Sequence, residues 1–196
     1  VKTGVTGTVV QDCTIDGTGN GPAGQHAIAG SGTFLRNNIF NAENGINVEG
    51  SNTIIQDNYI HDLRASGGDP HYDGVQVSGG FNNVSILHNT IIGRDTSCVF
   101  IVNDFGAMNN IVVDGNLLLG QDAGYTIYVL EKAGNPAQIT NVQVTNNVLG
   151  SGYYGFASVE RTEPTWSGNT DIATGRSVTS NGALAGLATT SSPAPS

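Results

Sequence analysis

The chain has 196 residues, of which only 12% are charged, and its formal net charge is −9. Its 7 Lys and Arg residues argue against nucleic-acid binding, because phosphate contacts need clustered cations. No apolar run approaches the roughly 18 residues that indicate a membrane-spanning helix, so we do not expect the chain to span a membrane. The 28 glycines and the abundance of Asn are unlike the composition of a helical protein.

A short pattern recurs along the chain and predicts its first strands. Six copies have an apolar residue three positions before a marker residue and another apolar residue two positions after it, and a seventh copy, at Asn169, is weaker. This alternation is typical of strands with one buried face, and irregular intervals of roughly 20 to 30 residues suit a solenoid. The markers, in chain order, are Cys13, Asn38, Asn58, Asn89, Asn116, Asn147 and Asn169.

The Asn markers lie where the chain must bend, and a side-chain amide there can satisfy backbone groups or pair with the next coil. We therefore expect five of them to form one stacked, buried column: Asn38, Asn58, Asn89, Asn116 and Asn147. Cys13 takes the Asn position in the first copy. Because Cys98 lies in another strand column about three coils away, we expect no disulfide between the two cysteines.

A further strand follows most markers, at 45–48, 74–77, 98–101, 126–129 and 155–158, and alternation predicts that Phe156 and Ser158 point inward in the last of them. The sequence therefore predicts an all-β parallel β-helix of about 6–7 coils over residues 1–172, followed at 173–196 by a terminal segment and a Ser/Pro-containing linker or tail. The strand-like opening residues suggest that an N-terminal cap or domain precedes them. A β-sandwich is the alternative, but sandwiches lack a recurrent turn residue in register with two apolar columns.

The Asn bends and the segment His71-Tyr72-Asp73-Gly74-Val75-Gln76 resemble the right-handed parallel β-helix, pectin-lyase-like superfamily. The likeness covers roughly residues 8–172 and is strongest to repeat proteins of bacteria and phage tails. It implies a polysaccharide or cell-surface glycan as partner. It does not imply one activity, since the superfamily includes lyases, hydrolases, epimerases and non-catalytic adhesins. The low Lys content and the richness in Thr, Ser, Asn and Gly favour an extracellular or virion-surface location.

The longest insertion in the repeat, residues 60–75, is the first candidate for catalysis, because long loops on a rigid solenoid commonly carry function. Three of the four histidines (His61, His71 and His88) fall in two successive coils. Histidine can act as an acid or base near neutral pH. We expect His71 to act as acid or base with Asp69 or Asp73 as its partner.

The tripeptide Asp69-Pro70-His71 also resembles the Asp-Pro-His motif of mannuronan C5-epimerases, which implies catalytic roles for Asp69 and His71. The sequence departs from that family at Gly67-Gly68, where the family has an aromatic-rich lead-in, and at Tyr72, where Asp is common. The alternative is structural: Asp69-Pro70 begins a turn and Asp73-Gly74 closes it.

Strand alignment suggests a second charged group. It predicts one column of Gly79, Asn103, Glu131 and Glu160 and a neighbouring column of Gly80, Asp104, Lys132 and Arg161. In the second column Lys132 could be a lyase-type base, with Arg161 neutralising a uronate carboxylate and Asp104 holding both. The alternative is a surface ion-pair ladder of little energetic value.

Beside these columns, Asn47, Gln76, Phe100 and Tyr128 are predicted to point outward on consecutive coils. Amides can bond sugar hydroxyls and aromatic rings can cover sugar C–H faces. The sequence thus predicts polysaccharide processing (lyase, epimerase or depolymerase), or alternatively a non-catalytic glycan-binding or structural domain. An exposed apolar strip would also suit a homotrimer interface. No cofactor is expected, and Ca²⁺ is left open without a motif that indicates it.

Overall fold

The computed structural model describes residues 1–2, 5, 7–18, 25–134 and 138–185. Within these residues the chain forms strands and no helix, so none of them builds a helix that is long and apolar enough to cross a membrane. The strands are β1 (Val9–Gln11), β2 (Thr14–Asp16), β3 (His26–Gly30), β4 (Thr33–Leu35), β5 (Asn38–Phe40), β6 (Asn44–Val48), β7 (Thr53–Gln56), β8 (Tyr59–Ile60), β9 (Asp73–Val77), β10 (Asn82–Leu87), β11 (Thr90–Ile92), β12 (Ser97–Val102), β13 (Met108–Asp114), β14 (Leu117–Leu119), β15 (Tyr125–Leu130), β16 (Ile139–Thr145), β17 (Val148–Gly150), β18 (Gly155–Glu160), β19 (Thr165–Ser167) and β20 (Thr170–Asp171).

Three parallel sheets form the walls of a solenoid, which confirms the predicted parallel β-helix. The first sheet has the order β1-β4-β7-β10-β13-β16-β19, the second β2-β5-β8-β11-β14-β17-β20, and the third β3-β6-β9-β12-β15-β18. Each strand pairs with the strand three places later in the chain. One coil therefore passes through the first, second and third sheets in turn and returns to the first.

The interior is a continuous apolar column built from the inward side of all three sheets. Successive residues of a strand point alternately to the inner and outer faces, and the residues at the inner positions are mostly aliphatic. In the third sheet, Ile46, Val75, Val99 and Ile127 are fully buried and in register. The packing of these inner residues thus holds the third sheet rigid. The side chains on its outer face are available for binding or catalysis.

A ladder of buried asparagines lies at the bend between the first and second sheets. Each Asn after the first accepts hydrogen bonds, through its side-chain oxygen, from the backbone N–H and the side-chain amide of the Asn one coil earlier, at 2.8–3.0 Å. The members are Asn37, Asn58, Asn89, Asn116, Asn147 and Asn169. The residue before each of them has a left-handed backbone, which turns the chain from one sheet into the next.

The expected ladder is correct for Asn58, Asn89, Asn116 and Asn147 and wrong for Asn38. Asn37 takes that place, while Asn38 pairs with Thr14 and Tyr59 in the second sheet. Asn37 and Asn38 are adjacent and carry the same side chain, so the sequence pattern could not show which of them joins the ladder. The choice follows from packing, because it places Phe34 and Ile39 in the interior instead of Leu35 and Phe40.

The expected register is also wrong by one residue in the sixth coil. Ile127 pairs with Ala157 and Leu130 pairs with Glu160, so Ala157 and Val159 replace the predicted inward residues Phe156 and Ser158. Each third-sheet strand enters with two consecutive buried residues, as at Phe156 and Ala157. Strict alternation does not hold at that bend, and hydrophobicity alone could not set the register.

Residues 173–185 pack against the last coil. Val178 is buried, forms a bridge with Leu184, and accepts a hydrogen bond from the Trp166 indole N–H at 2.7 Å. These contacts cover the end of the apolar column. The predicted tail beyond residue 185 lies outside the described residues.

Both cysteines are free thiols, as predicted. Cys13 is exposed and Cys98 is buried in the interior, where its thiol approaches the Ile91 carbonyl oxygen at 3.5 Å.

Candidate functional site

The outer face of the third sheet carries one row of half-exposed side chains across six coils. The strand register aligns Ala29, Asn47, Gln76, Phe100, Tyr128 and Ser158. Asn47, Gln76, Phe100 and Tyr128 are therefore neighbours, as the sequence predicted. The row begins with amides and continues with aromatic rings, at about 4.8 Å from strand to strand.

The aromatic part of this face is larger than the sequence suggested. The ring centroid of Tyr128 lies 5.4 Å from Phe100 and 5.3 Å from Tyr125. Tyr125 in turn lies 5.7 Å from Tyr154, which lies 4.9 Å from Tyr153. We call these five rings the aromatic cluster. Its last two members are 68% and 82% exposed, which is unusual for tyrosines in a packed protein.

Sequence reasoning missed Tyr125, Tyr153 and Tyr154. The sequence feature that could have revealed two of them is the run Gly152-Tyr153-Tyr154-Gly155, in which two aromatic residues follow one another in a turn.

The turn at Gly124 lies close to the aromatic cluster and positions its rings. A Cβ atom on Gly124 would come within 2.7 Å of the Tyr128 hydroxyl oxygen, so a larger residue there would displace the Tyr128 ring from the turn. The backbone N–H of Tyr154 donates to the Gly124 carbonyl at 2.8 Å. Partial burial raises the pKa of the Tyr128 hydroxyl above its usual value. The hydroxyl is thus a neutral donor at physiological pH.

At the other end of the row, a chain of hydrogen bonds orients the amides. The buried Asn44 donates from Nδ2 to Gln76 Oε1 at 2.8 Å, and Asn44 Oδ1 accepts from the Asp73 backbone N–H at 2.8 Å. With its oxygen occupied, Gln76 keeps its Nε2 donor without a partner in the described residues. Gln76 and Asn47 also line a shallow depression of about 330 Å³, together with Phe81 and Phe105.

Asp73 lies beside these amides but is closed to solvent. It is only 1% exposed, and its Oδ1 accepts a hydrogen bond from the Ser97 hydroxyl at 2.6 Å. Asn44 connects it to the outer face, because Asn44 bonds both the Asp73 backbone and the Gln76 side chain. Burial, with smaller contributions from Glu43 and Asp95, raises the pKa of Asp73 to about 8. The carboxyl group is therefore mostly protonated at neutral pH.

His71 and Asp69, the other candidates in the long loop, have exposed side chains. Neither side chain makes a hydrogen bond or ion pair with the part of the chain that the structure describes. The backbone N–H of His71 donates to Glu43 Oε1 at 2.9 Å, which fixes the loop beside the buried Glu43. The loop thus approaches Asp73 through its backbone, and its imidazole points into solvent.

Asp104 and Lys132 form an ion pair at the other end of the third sheet. Asp104 lies seven residues beyond Ser97 along β12 and the residues that follow it, which corresponds to roughly 23 Å of extended chain. The predicted catalytic residues therefore form two separate groups, one around Asp73 and one around Lys132.

The expectation that Arg161 completes the column of Lys132 is wrong. Because of the register correction in β18, Arg161 follows Glu160 and lies opposite Glu131, one position away from Lys132. Arg161 lines a depression of about 570 Å³ with Glu131 and Glu163. Its neighbours are thus acidic, and it is not part of a Lys–Asp–Arg cluster.

His26 was also missed by the sequence reasoning. It pairs in register with Asn44 and lines the depression beside Gln76. Its Nδ1 is buried without a hydrogen-bond partner in the described residues, and burial lowers the pKa of the imidazole. The described residues contain no group of three His, Cys, Asp or Glu side chains that could hold a metal ion.

The three parallel sheets, the stacked asparagines and the row on the third sheet define a β-helix solenoid with one outer face of mixed amide and aromatic character. The sequence model of the family described as "Right handed beta helix region" matches residues 1–171. The chain therefore belongs to the right-handed β-helix family, which is compatible with proteins that process or bind polysaccharides. No curated protein and no solved structure matches the chain.

Proposed function

We propose that this protein binds a polysaccharide along the outer face of the third sheet. The observation that carries the proposal is the aromatic cluster, which continues directly from the amides Asn47 and Gln76. Sugars present hydroxyl groups at their edges and C–H groups on their faces. A surface with fixed amide donors at one end and exposed rings at the other suits both.

The exposure of the rings supports a ligand rather than a packing role. Burial of an aromatic side chain is strongly favourable, so tyrosines that are left in water forgo that stabilisation. Tyr153 and Tyr154 are held in place by backbone hydrogen bonds to Ala123 and Gly124 at 2.7 and 2.8 Å. Rigid, exposed rings lose little conformational entropy when a ligand covers them.

The shape of the face favours binding over catalysis. The depressions on it are shallow, and the predicted acid–base residues are scattered. Asp73 is buried, the His71 side chain is exposed and makes no hydrogen bond or ion pair with the described residues, and Asp104 with Lys132 lies at the opposite end of the strands. A general acid must come within about 3 Å of the atom it serves, directly or through one water.

Processing of the glycan is the second candidate function, and one observation favours it. Asp73 has a pKa of about 8, so it can donate a proton at neutral pH, and Asn44 connects it to the exposed Gln76. The likeness of Asp69-Pro70-His71 to the epimerase motif would add His71 as a partner from the neighbouring loop. Movement of the 61–72 loop would be needed to open Asp73 to a substrate.

A glycan panel tests both proposals with the same protein. Binding is measured by affinity electrophoresis in gels that contain neutral, acidic or amino-sugar polymers. Turnover is measured as new reducing ends and as the ultraviolet absorbance of new unsaturated ends. We expect retardation by at least one polymer, and Tyr128→Ala and Tyr154→Ala should each weaken it by about tenfold, since one ring contact contributes about 1–1.5 kcal/mol.

Ile54→Ala is the matched control, because Ile54 is an exposed apolar side chain on the first sheet, away from the proposed face. It should leave retardation unchanged. Equal loss in all three variants, or no retardation in any gel, would contradict the binding proposal. If instead the two tyrosine variants change the sedimentation mass of the protein, the face is a subunit contact, such as that of the predicted homotrimer.

A further inference from the structure

A second surface site lies on the other side of the long loop, beside the second sheet. It is a depression of about 710 Å³ lined by Phe40, Asn41, His61, Asp62, Arg64 and Arg94. The chain has only 7 Lys and Arg residues, and two of them meet here. The site is separate from the third-sheet face, and nothing in the proposed function uses it.

The two arginines are brought together by the backbone. Arg94 Nη1 donates to the Leu63 carbonyl oxygen at 3.0 Å, which places its guanidinium next to the residue that precedes Arg64. The same guanidinium lies 5.1 Å from the centre of the Tyr72 ring, a cation–π contact that fixes its plane. Arg94 is thus positioned before any ligand arrives.

Arg64 is different, because its guanidinium has no hydrogen bond or ion pair with any of the described residues. The charged groups that line the depression are Arg64, Arg94, Asp62 and, when protonated, His61. Asp62 is occupied by a hydrogen bond of 2.6 Å to His61 Nδ1. Among the residues that line this depression, two guanidinium groups outnumber the one carboxylate, while Asp122 lines the adjoining depression with Arg94. An anion between the arginines would remove their repulsion.

One wall of the depression is aromatic. Phe40 and His61 are paired across adjacent coils with ring centroids 5.3 Å apart, and Tyr59 stacks on His61 at 4.1 Å. His61 Nε2 lies 2.9 Å from Asn38 Oδ1, so both ring nitrogens have partners and the ring is held still. A flat ring surface next to guanidinium groups suits a ligand with a C–H face and an acidic substituent.

We propose that this depression binds an acidic sugar unit, with its carboxylate or sulfate group between Arg64 and Arg94 and its ring against Phe40 and His61. The ligand class follows from the pairing of charge with an aromatic wall. A simple inorganic anion would use the arginines alone, and a neutral sugar would use the wall alone. The site would give a β-helix with an acidic overall charge a local means of holding an acidic polymer.

The test is calorimetric titration with four probes: a galacturonate trisaccharide, its methyl ester, a sulfated galactose trisaccharide and inorganic sulfate. We expect one or both acidic sugars to bind, the methyl ester to bind at least about tenfold more weakly, and inorganic sulfate to bind more weakly than either acidic sugar. Comparing the acidic probes identifies which acid group the site prefers.

Arg64→Gln is the decisive variant, since the Arg64 side chain makes no hydrogen bond or ion pair with the described residues and the substitution leaves its backbone bond to Ala42 in place. It should weaken binding of the acidic sugar about tenfold or more and leave the melting temperature unchanged. Arg176→Gln removes the same charge on the last coil and should leave binding unchanged. Phe40→Ala should reduce the preference for the acidic sugar over inorganic sulfate.

The proposal is overturned if no probe binds, if the acid and its ester bind equally, or if Arg64→Gln binds like the unchanged protein. It is also overturned if inorganic sulfate binds as tightly as the sugars, because the site would then hold an adventitious ion only. These outcomes are independent of Tyr128→Ala and Tyr154→Ala, so failure here leaves the third-sheet proposal to its own test.

Discussion

The buried asparagine ladder and the outer face of the third sheet both contain amide side chains, but the two regions have different roles. In the ladder, each amide from Asn37 to Asn169 meets the next coil in the same way and is closed to solvent. On the third sheet, the side chain changes from coil to coil, from Asn47 through Phe100 to Ser158. A position that repeats without change holds the solenoid together, and one that varies on a rigid frame is available for recognition.

The largest expected effect concerns Asp73, a buried carboxyl beside the third-sheet face. Its pKa rises from 3.8 in the unfolded chain to about 8 in the fold. The protonated form is therefore the stabilising one. Its contribution is complete below pH 3.8 and is lost as the pH rises towards 8, by an amount on the order of several kcal/mol.

Asp73→Asn tests this by keeping the shape and removing the titration. Urea unfolding from pH 4 to pH 9 should show that the unchanged protein loses stability relative to the variant as the pH rises. The difference between the two proteins is measured, because other carboxyl groups such as Asp12 and Asp114 have lowered pKa values and act in the opposite direction. Parallel pH curves would show that Asp73 is ionised in the fold.

A smaller effect is expected in the ladder. Asn89→Ala removes a side-chain oxygen that accepts from Asn58 and an amide that donates to the Ile55 carbonyl at 2.9 Å. Water does not reach the buried groups that lose their hydrogen-bond partner, so the free energy of unfolding should fall by about 1–3 kcal/mol. Urea unfolding measures this, and glycan binding on the third sheet should be unchanged.

An exposed ladder of asparagines sharpens the comparison. Asn52, Asn83, Asn110 and Asn141 lie near the beginning of first-sheet strands. They have left-handed backbones and join side chain to side chain at 2.9–3.3 Å. Asn83→Gly keeps that backbone available and removes the amide. Because water can replace exposed hydrogen bonds, stability should change by no more than about 0.5 kcal/mol. A loss as large as that of Asn89→Ala would show that the stacking of amides, not their burial, stabilises the coil.

The smallest effect on stability is expected at the most exposed ring. Tyr153→Ala should change the free energy of unfolding by less than about 0.5 kcal/mol, since its side chain is 82% exposed. In the same protein, affinity for the retained glycan should fall measurably. Loss of stability without loss of affinity would assign Tyr153 to the structure rather than to recognition.

The sequence by itself determined the solenoid, because one apolar column and one turn residue recur in every coil and no other arrangement buries them together. It also determined the row of Asn47, Gln76, Phe100 and Tyr128, since strand alternation fixes which residues point outward. The choice of Asn37 over Asn38 and the shift at Phe156 were decided by packing, where neighbouring residues of the same chemical type compete for one place.

Only the tertiary structure decided how the polar groups are combined. Asp73 is buried between Asn44 and Ser97 of the neighbouring coils, and Lys132 pairs with Asp104 at the other end of the sheet. Arg64 and Arg94, also from different coils, line one depression. Loop length and composition do not encode these contacts, because a loop of many residues can cover either neighbouring sheet. The path of residues 61–72 selects which side chains are covered and which remain in solvent.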